Sequence, residues 1–262
     1  MLGHVVRSVG PESQVIVAYL ERPEGELYYE VHGTGFPVLL FAPGFLSSRI
    51  ERWATNPAKP GVQDWLDPVP ALRDRFTLIA FDARNAGRSR VRLTANDDWE
   101  TYTDDALALL DHLAVPRCHA FGACIGVSFA LSLAKRRPDA VASLVLQNPI
   151  GLSDVNRAAL DAEFDKWADE VRRWPNVDAS LLPDFRKRMF GGDFIFSVTR
   201  EFVRTCAIPM LLMPGNDLVH AANVSDDLAL APNVDVLTPW KGVELRDSAM
   251  QRVRGFLESH TP

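Results

Sequence analysis

The hydrophobic positions of the chain fall into short runs that turn residues and helix-like segments separate. Two runs near the amino terminus, VIVAYLE and ELYYEVHG, alternate apolar and polar residues and are joined by Pro-Glu-Gly, which predicts an antiparallel strand pair. The later runs PVLLFAPG, FTLIAFD, CHAFGA, ASLVLQNP, IPMLLMPG and VDVLTPW are almost continuously apolar. Because strands buried on both faces have this composition, the pattern predicts an α/β protein with a mostly parallel sheet and helices outside it.

Helix-like periodicity appears between most of these runs. The segment YTDDALALLDHL places Leu107, Leu110 and Leu113 on one helical face. A second helix is predicted from Ile125 to Lys135, and a third in the carboxyl-terminal segment SAMQRVRGFLESH. Strands and helices therefore alternate through most of the chain.

Two stretches interrupt this alternation. Residues from about 151 to 206 hold helix-like segments rich in Trp and Phe but no strand pair, which predicts a lid inserted between two strands. We therefore divide the chain into a first core part (1–148), a helical lid (149–206) and a second core part (207–262). The connection FLSSRIERWATNPAKPGVQDWLDPVP is too long for an ordinary strand-to-helix loop, and loops of that length are usually functional or mobile.

Composition narrows the class of protein. The 262 residues, 47% of them hydrophobic, suit one large α/β domain with a small insertion. A net charge of −6 argues against nucleic-acid binding, and no apolar run approaches the roughly 20 residues that span a bilayer. The amino terminus lacks the apolar core of a signal peptide, and the three cysteines have neither metal-site nor disulfide spacing. We expect a cytoplasmic protein without cofactor, metal, nucleic acid or membrane partner.

A nucleophile is predicted in the stretch Gly122-Ala123-Cys124-Ile125-Gly126. It lies where a strand turns sharply into a helix, and small residues two positions before and after a reactive side chain are typical of a nucleophile elbow. A thiol at a helix amino terminus loses its proton more easily than usual, because unpaired N–H groups and the helix dipole favour an anion there. The alternative is that Cys124 is a small buried hydrophobic residue, as Cys118 and Cys206 are expected to be.

The order of elements and four motifs together resemble a known family. The motifs are PVLLFAPGF, FDARNAGRS, GACIG and MPGNDLV, the last of which corresponds to the family segment Gly-x-x-Asp-x-x-Pro. On these the chain is identified as a member of the α/β-hydrolase fold superfamily over nearly its whole length. The resemblance implies an eight-stranded, mostly parallel sheet with helices on both faces and a helical lid after the sixth strand. It also implies that Cys124 is the nucleophile, that Asp217 is the acid, and that the backbone N–H groups of Phe45 and Ile125 form the oxyanion hole.

The chain departs from the family at the catalytic histidine. In the family a histidine follows the last strand, but here no histidine lies between His220 and His260. His220 comes three residues after Asp217 and is the candidate base, although a base from the acid's own loop is unusual. Lys241, in the segment PWKG, is a weaker candidate, and His119 on the strand before the elbow is expected to be a satisfied core residue.

Substrate contacts are predicted in three places. The segment SSRIERW offers Arg49, Arg52 and Trp53, the segment MFGGDFIFSV offers Phe194 and Phe196, and Asn148 follows the sixth strand. An arginine fork near a pocket can clamp a carboxylate, and the aromatic residues can line an apolar pocket. The alternatives are a solvated charged loop and ordinary packing within the lid.

Two hypotheses of function follow. The first is an enzyme that attacks an activated ester, lactone or thioester of a small, largely apolar substrate through an acyl-Cys124 intermediate, by hydrolysis or acyl transfer. Activity is then expected to be low, because histidine also protonates the leaving group and activates water. The second is a non-catalytic ligand-binding protein on a hydrolase scaffold, which the missing histidine favours. A homodimer is the candidate assembly.

Overall fold

A central β-sheet with helices on both faces organises the protein, and the computed structural model describes residues 6–8, 15–56, 61 and 65–262. The strands are β1 (Val6–Ser8), β2 (Val15–Arg22), β3 (Gly25–His32), β4 (Phe36–Phe41), β5 (Phe76–Phe81), β6 (Arg90–Val91), β7 (Cys118–Ala123), β8 (Val141–Gln147), β9 (Met210–Met213) and β10 (Val234–Val236). The helices are α1 (Pro68–Leu72), α2 (Trp99–His112), α3 (Ile125–Arg136), α4 (Arg157–Val171), α5 (Leu182–Phe190), α6 (Arg200–Thr205), α7 (Ala222–Leu228) and α8 (Arg246–Ser259). None of the helices in the described part of the chain is long and apolar enough to cross a membrane.

The sheet has the mostly parallel topology that the apolar runs predict. Its strand order is β1-β2-β3-β5-β4-β7-β8-β9-β10, with β6 paired to β3. The pairs from β5 through β10 along this order are parallel, whereas β1, β2, β3, β6 and the β3–β5 pair are antiparallel. The eight predicted runs correspond to β2–β5 and β7–β10, and the antiparallel β2–β3 pair is confirmed. Strands β1 and β6 were not predicted because three and two residues are too few to show a period.

Alternation along each strand divides the core into two layers. In β4, Leu39 and Phe41 join the layer that contains α2, α3 and the segment between β8 and β9. Val38 and Leu40 join the opposite layer, which α1 and α8 cover. All four are almost completely buried, which explains why the run is apolar at every position.

The segment between β8 and β9 is helical, as the sequence predicts, and contains α4, α5 and α6. It is hydrogen-bonded to the rest of the protein through two tryptophans. Trp167 Nε1 donates to the carbonyl of Asn85 at 3.0 Å, and Trp99 Nε1 donates to the carbonyl of Met189 at 2.7 Å. The division into core and lid at residues 149–206 stays a prediction.

Candidate active site

Cys124 lies at the sharp turn between β7 and α3, with φ 55° and ψ −120°. This backbone conformation is strained for any residue except glycine, and such strain concentrates at functional sites. A Cβ atom at Gly126 would collide with the carbonyl oxygen of Phe41, and one at Gly122 would collide with that of Gly126. The two glycines are therefore needed for the turn to form against β4, as the spacing predicts.

The thiol of Cys124 is buried, with 6% of the residue exposed, and lies at the amino terminus of α3. Burial alone would raise its pKa, but the charge and the closeness of the His220 ring lower it. The backbone N–H groups of Gly44 and Ile125 also donate to the sulfur and lower the pKa further. The net result is a thiol that ionises more easily than a cysteine in water.

Asp217 and His220 belong to one tight turn after β9. The backbone N–H groups of Val219 and His220 donate to Asp217 Oδ1 at 3.0 and 2.8 Å, and the N–H of Asp217 donates to the carbonyl of His220 at 3.2 Å. This turn folds the imidazole back onto the carboxylate, so that His220 Nδ1 is 2.9 Å from both carboxylate oxygens. A Cβ at Gly215 would stand 2.6 Å from the Cβ of His220, which explains the glycine there.

The electrostatics of this turn favour a charged imidazole. Burial lowers the pKa of His220, but the Cys124 thiolate and the hydrogen-bonded carboxylate outweigh it and raise the pKa to about 9. Burial raises the pKa of Asp217, yet its bond to His220 holds that pKa well below its usual range. These directions favour a thiolate, an imidazolium and a carboxylate as the charged forms of one coupled group.

The Nε2 atom of the His220 ring is available to interact with the thiol of Cys124. Asp217 occupies Nδ1, whereas Nε2 is buried and makes no aligned hydrogen bond. Catalytic hydrogen bonds are often long or poorly aligned without substrate and tighten in the complex. The ring of Trp65 meets the imidazole edge to face, with centroids 5.8 Å apart, and restricts its orientation.

The loop after β10 supports this turn from outside. Trp240 Nε1 donates to the carbonyl of Pro214 at 2.9 Å, and Lys241 Nζ donates to Asn216 Oδ1 at 2.9 Å. The same ammonium lies 3.8 Å from Asp217 Oδ2. Lys241 thus touches the acid, whereas the thiol interacts with His220.

A cavity of about 340 Å³ opens in front of the thiol, a volume suited to a small molecule. It is lined by Pro43, Gly44, Phe45, Arg52, Thr55, Asn56, Trp65, Cys124, Ile150, Glu163, Lys166, Asp217, Val219 and His220. Its apolar walls come from the turn after β4, the long connection and the start of the inserted segment. Besides Asp217 and His220, its charged groups are Arg52 and a Glu163–Lys166 ion pair on α4.

The two predicted oxyanion-hole residues lie beside the thiol. Phe45 lines the cavity, has φ 55° and follows Gly44, whose φ is 118°. Its ring stacks on Phe190 of α5 with centroids 4.5 Å apart, which holds the turn in place. Ile125 opens α3 directly after Cys124, and its N–H donates to the sulfur. The oxyanion role of Phe45 and Ile125 stays a prediction.

The structure corrects the placement of Arg49 and Trp53, since neither lines the cavity. Residues Ile50–Trp53 form a short 3₁₀ helix, in which successive side chains point in very different directions. Arg52 consequently faces the cavity, while Trp53 is buried in the opposite layer, edge-on to Phe121 at 5.3 Å.

Phe194, Phe196 and Asn148 are likewise outside the cavity lining. Phe194 is buried with its ring 4.9 Å from the guanidinium carbon of Arg200, and Phe196 packs edge-on against Phe190 at 5.3 Å. Both have positive φ, so the segment turns its aromatic rings into the protein. Asn148 is buried after β8 and donates its N–H to the carbonyl of Met213 at 2.8 Å.

Several cavity residues were not predicted from the sequence. Trp65 and Ile150 lie outside the four motifs, whereas Gly44 and Val219 lie within PVLLFAPGF and MPGNDLV but were not singled out, and only the folded loops bring the four together. His220, in contrast, was predicted as the candidate base because it comes three residues after Asp217.

Comparison with known proteins identifies the class to which this fold and site belong. A family model described as alpha/beta hydrolase fold matches residues 37–201. The chain therefore belongs to the α/β-hydrolase fold family.

Relatives in sequence share one name. A putative carbamate hydrolase RutD from Pseudomonas savastanoi pv. phaseolicola is 33% identical over 205 residues, 72% of this chain and 77% of that protein. Another from Variovorax paradoxus is 37% identical over 125 residues, 47% of this chain and 42% of that protein. The chain spans less than half the length of several further curated relatives that it matches.

Solved structures show the same fold at low sequence identity. A meta-cleavage product hydrolase from Pseudomonas fluorescens superposes with a TM-score of 0.65 at 19% identity, covering 90% of this chain and 96% of that one. An enol-lactonase from Burkholderia xenovorans superposes with a TM-score of 0.63 at 20% identity, covering 92% and 99%.

Proposed function

We propose that the protein is a hydrolase that uses Cys124 as its nucleophile on an activated ester, lactone or thioester of a small substrate. One observation carries the proposal: Cys124, His220 and Asp217 share one cavity, in an order that pairs a nucleophile, a base and an acid. In this proposal His220 acts as the base, in place of the histidine that the family has after the last strand.

The acylation step follows from the ion pair. The Cys124 thiolate attacks the carbonyl carbon of the substrate and forms a carbon–sulfur bond, while the carbonyl electrons move onto oxygen. The N–H groups of Phe45 and Ile125 are the proposed donors to that oxyanion, and such a donor contributes about 10²–10³ in rate. As the bond to the leaving group breaks, the His220 imidazolium gives the departing atom its proton.

The deacylation step uses the same histidine in its neutral form. His220 takes a proton from water, whose oxygen attacks the acyl carbon of the thioester. The carbon–sulfur bond then breaks, the Cys124 electrons return to sulfur, and the acid product leaves. Because His220 keeps the proton, the thiolate–imidazolium pair is restored, and slow turnover is not a necessary property of this site.

Hydrolysis is favoured over acyl transfer by the names of the relatives. The matched proteins are called carbamate hydrolases, and a structural neighbour is called an enol-lactonase. Carbamates and lactones, like esters, react at a carbonyl carbon and release a heteroatom that needs a proton. The cavity volume supports a small substrate, and its mixture of apolar and charged walls supports one that also carries a polar group.

The alternative, a ligand-binding protein without turnover, rested on the absence of a usable histidine. The contact between Asp217 and His220 argues against that premise, and a strained elbow at Cys124 offers no advantage for binding alone. The two hypotheses still differ in a simple assay, because only an enzyme forms a transient covalent adduct.

The experiment is rapid-quench intact-mass spectrometry during hydrolysis of 4-nitrophenyl acetate, alongside 4-nitrophenolate release. The wild type and Cys206→Ala are expected to release 4-nitrophenolate and to show an acetyl adduct on Cys124, and Cys124→Ala is expected to do neither. Cys206 is the matched control, since it is a buried thiol outside the cavity lining. Release that survives in Cys124→Ala contradicts the cysteine mechanism, and a wild type with neither release nor adduct favours the ligand-binding alternative.

A further inference from the structure

Arg52 is the group in the cavity that the proposed reaction does not use. Its side chain packs against the oxyanion turn: a Cβ at Gly44 would lie 3.0 Å from Arg52 Cγ and 3.3 Å from Nε. The N–H of Gly44 in turn donates to the Cys124 sulfur. Gly44 therefore lies between the Arg52 side chain and the reacting thiol, and Arg52 and Cys124 line the same cavity.

The positive charge of Arg52 makes no direct ion pair, although the carboxylates of Glu170, Glu163 and Glu51 are near enough to offset part of it. Within the described part of the chain, no carboxylate oxygen lies within ion-pair distance of its guanidinium, and its buried Nε has no hydrogen-bond partner. Two of these carboxylates pair directly with other cations: Glu163 with Lys166, and Glu51 with Arg88 at 2.8 Å. Burial, together with the charge of Arg49, lowers the pKa of Arg52, as expected for a cation held partly out of water.

An unpaired, partly buried cation is costly, so proteins rarely keep one without a partner. The planar guanidinium fork matches a carboxylate in particular, since two parallel N–H donors meet its two oxygens. Arg52 lines the cavity, and its buried Nε has no hydrogen-bond partner, so a substrate in the cavity can supply the direct partner that the guanidinium lacks.

We propose that Arg52 is a specificity-determining residue that binds a carboxylate on the substrate, so that the natural substrate is an acyl compound carrying a second, anionic group. This inference rests on the proposed hydrolytic function and names the chemical class of its substrate. Lys166 is a weaker candidate for the same role because its ammonium already pairs with Glu163.

The kinetic test compares two esters that differ in one charge. Mono-4-nitrophenyl adipate carries a free carboxylate, and methyl 4-nitrophenyl adipate is its neutral counterpart. We expect the wild type to prefer the charged ester by about 10–100-fold in kcat/KM, as a charge-assisted hydrogen bond implies. Arg52→Met is expected to lose this preference mainly through KM, and Arg52→Lys is expected to keep part of it because it retains the charge without the fork.

The matched control is Arg92→Met, because the Arg92 side chain is 70% exposed and lies outside the cavity lining. It is expected to keep the wild-type preference. Equal kcat/KM for the two esters in the wild type overturns the proposal without any variant. A preference that survives in Arg52→Met also overturns it, as does an equal loss on both esters, which would place Arg52 at the reacting centre.

A binding measurement separates this inference from the proposed function. In Cys124→Ala, which cannot form the adduct, titration calorimetry compares monomethyl adipate with dimethyl adipate. We expect the anion to bind about 10–100-fold more tightly, and the difference to vanish in Cys124→Ala/Arg52→Met. If hydrolysis fails but this difference is found, Arg52 still recognises carboxylates; if hydrolysis succeeds without it, the reaction stands and the substrate class is wrong.

Discussion

The loop after β9 and the loop after β10 lie in contact with each other but have different roles at the candidate active site. The first, residues 214–221, holds both Asp217 and His220 in one turn. The second, residues 237–245, is where the family keeps its histidine, and here it supplies Trp240 and Lys241. Those two side chains hydrogen-bond to the first loop.

The difference between the loops indicates what the fold constrains. A base must reach the space above the nucleophile elbow, but its place in the chain is free if another loop can aim an imidazole there. The turn at Asp217 does so because Asp217 accepts two backbone N–H bonds and leaves its carboxylate oxygens within 2.9 Å of Nδ1. The loop after β10, which lacks the family's histidine, then supports the loop after β9 through Trp240 and Lys241.

The largest expected effect comes from removing the imidazole. His220→Ala should lower kcat/KM for a 4-nitrophenyl ester by about 10²–10⁴-fold, the range that general acid–base groups supply. Its control is His112→Ala, because His112 is exposed and hydrogen-bonded to Tyr29, away from the cavity. Steady-state kinetics check this prediction, and near-normal activity in His220→Ala would return Lys241 to consideration as the base.

A smaller loss is expected when the acid is neutralised. Hydrogen bonds to charged groups contribute about 1.5–3 kcal/mol, so Asp217→Asn should lower kcat/KM by roughly 10–150-fold. Activity in the wild type should also fall as pH rises through about 9, where His220 loses its proton. Because the carboxylate raises that pKa, its loss should move the alkaline limb to lower pH.

The pH profile of Asp217→Asn provides the check on the role of the acid. An alkaline limb that does not move would mean that Asp217 positions the loop without acting on the imidazole. A limb that moves to higher pH would contradict the electrostatic account.

Replacing Lys241, whose ammonium supports the turn at Asp217, should have little effect on kcat/KM. Lys241→Met removes a partly exposed charge 3.8 Å from Asp217, and such pairs contribute about 0.2–1 kcal/mol, so kcat/KM should change less than about 5-fold. Steady-state kinetics with the same ester measure this change. A loss as large as that of His220→Ala would mean that the second loop, and not the first, carries the base.

The smallest expected effect on catalysis comes from the buried tryptophan. Trp240→Phe keeps the aromatic packing but removes the bond to Pro214, which should lower the free energy of unfolding by about 0.5–1.5 kcal/mol. Urea denaturation measures this change, and kcat/KM should stay close to the wild-type value. A large loss of activity at unchanged stability would give Trp240 a role beyond support.

The fold could be predicted because its signals are local. Eight strands follow from runs of a few residues, and the elbow follows from two glycines whose Cβ atoms have no room. Asp217 was predicted by motif, and His220 only weakly, since a turn held by side-chain-to-backbone bonds leaves no periodic pattern.

The cavity lining could not be predicted because it depends on how long loops pack. Arg52 and Trp53 are adjacent in sequence and belong to the same 3₁₀ helix. Arg52 nevertheless faces the cavity, whereas Trp53 is buried in the core layer on the opposite face of the sheet. Phe194 and Phe196 were predicted to line an apolar pocket, but two positive φ angles turn their rings into the protein. Such conformations are set by contacts between residues distant in sequence.

The most direct test of the account is the pH dependence of Cys124 alkylation by iodoacetamide, mapped by peptide mass. Burial raises the pKa of Cys118 to about 12 and raises that of Cys206, so both should react far more slowly. If His220 holds Cys124 as a thiolate, alkylation should stay fast below the usual thiol pKa of about 8.5 in the wild type, and should become fast only above it in His220→Ala. Identical profiles that rise above the usual thiol pKa in both proteins would contradict the thiolate–imidazolium pair.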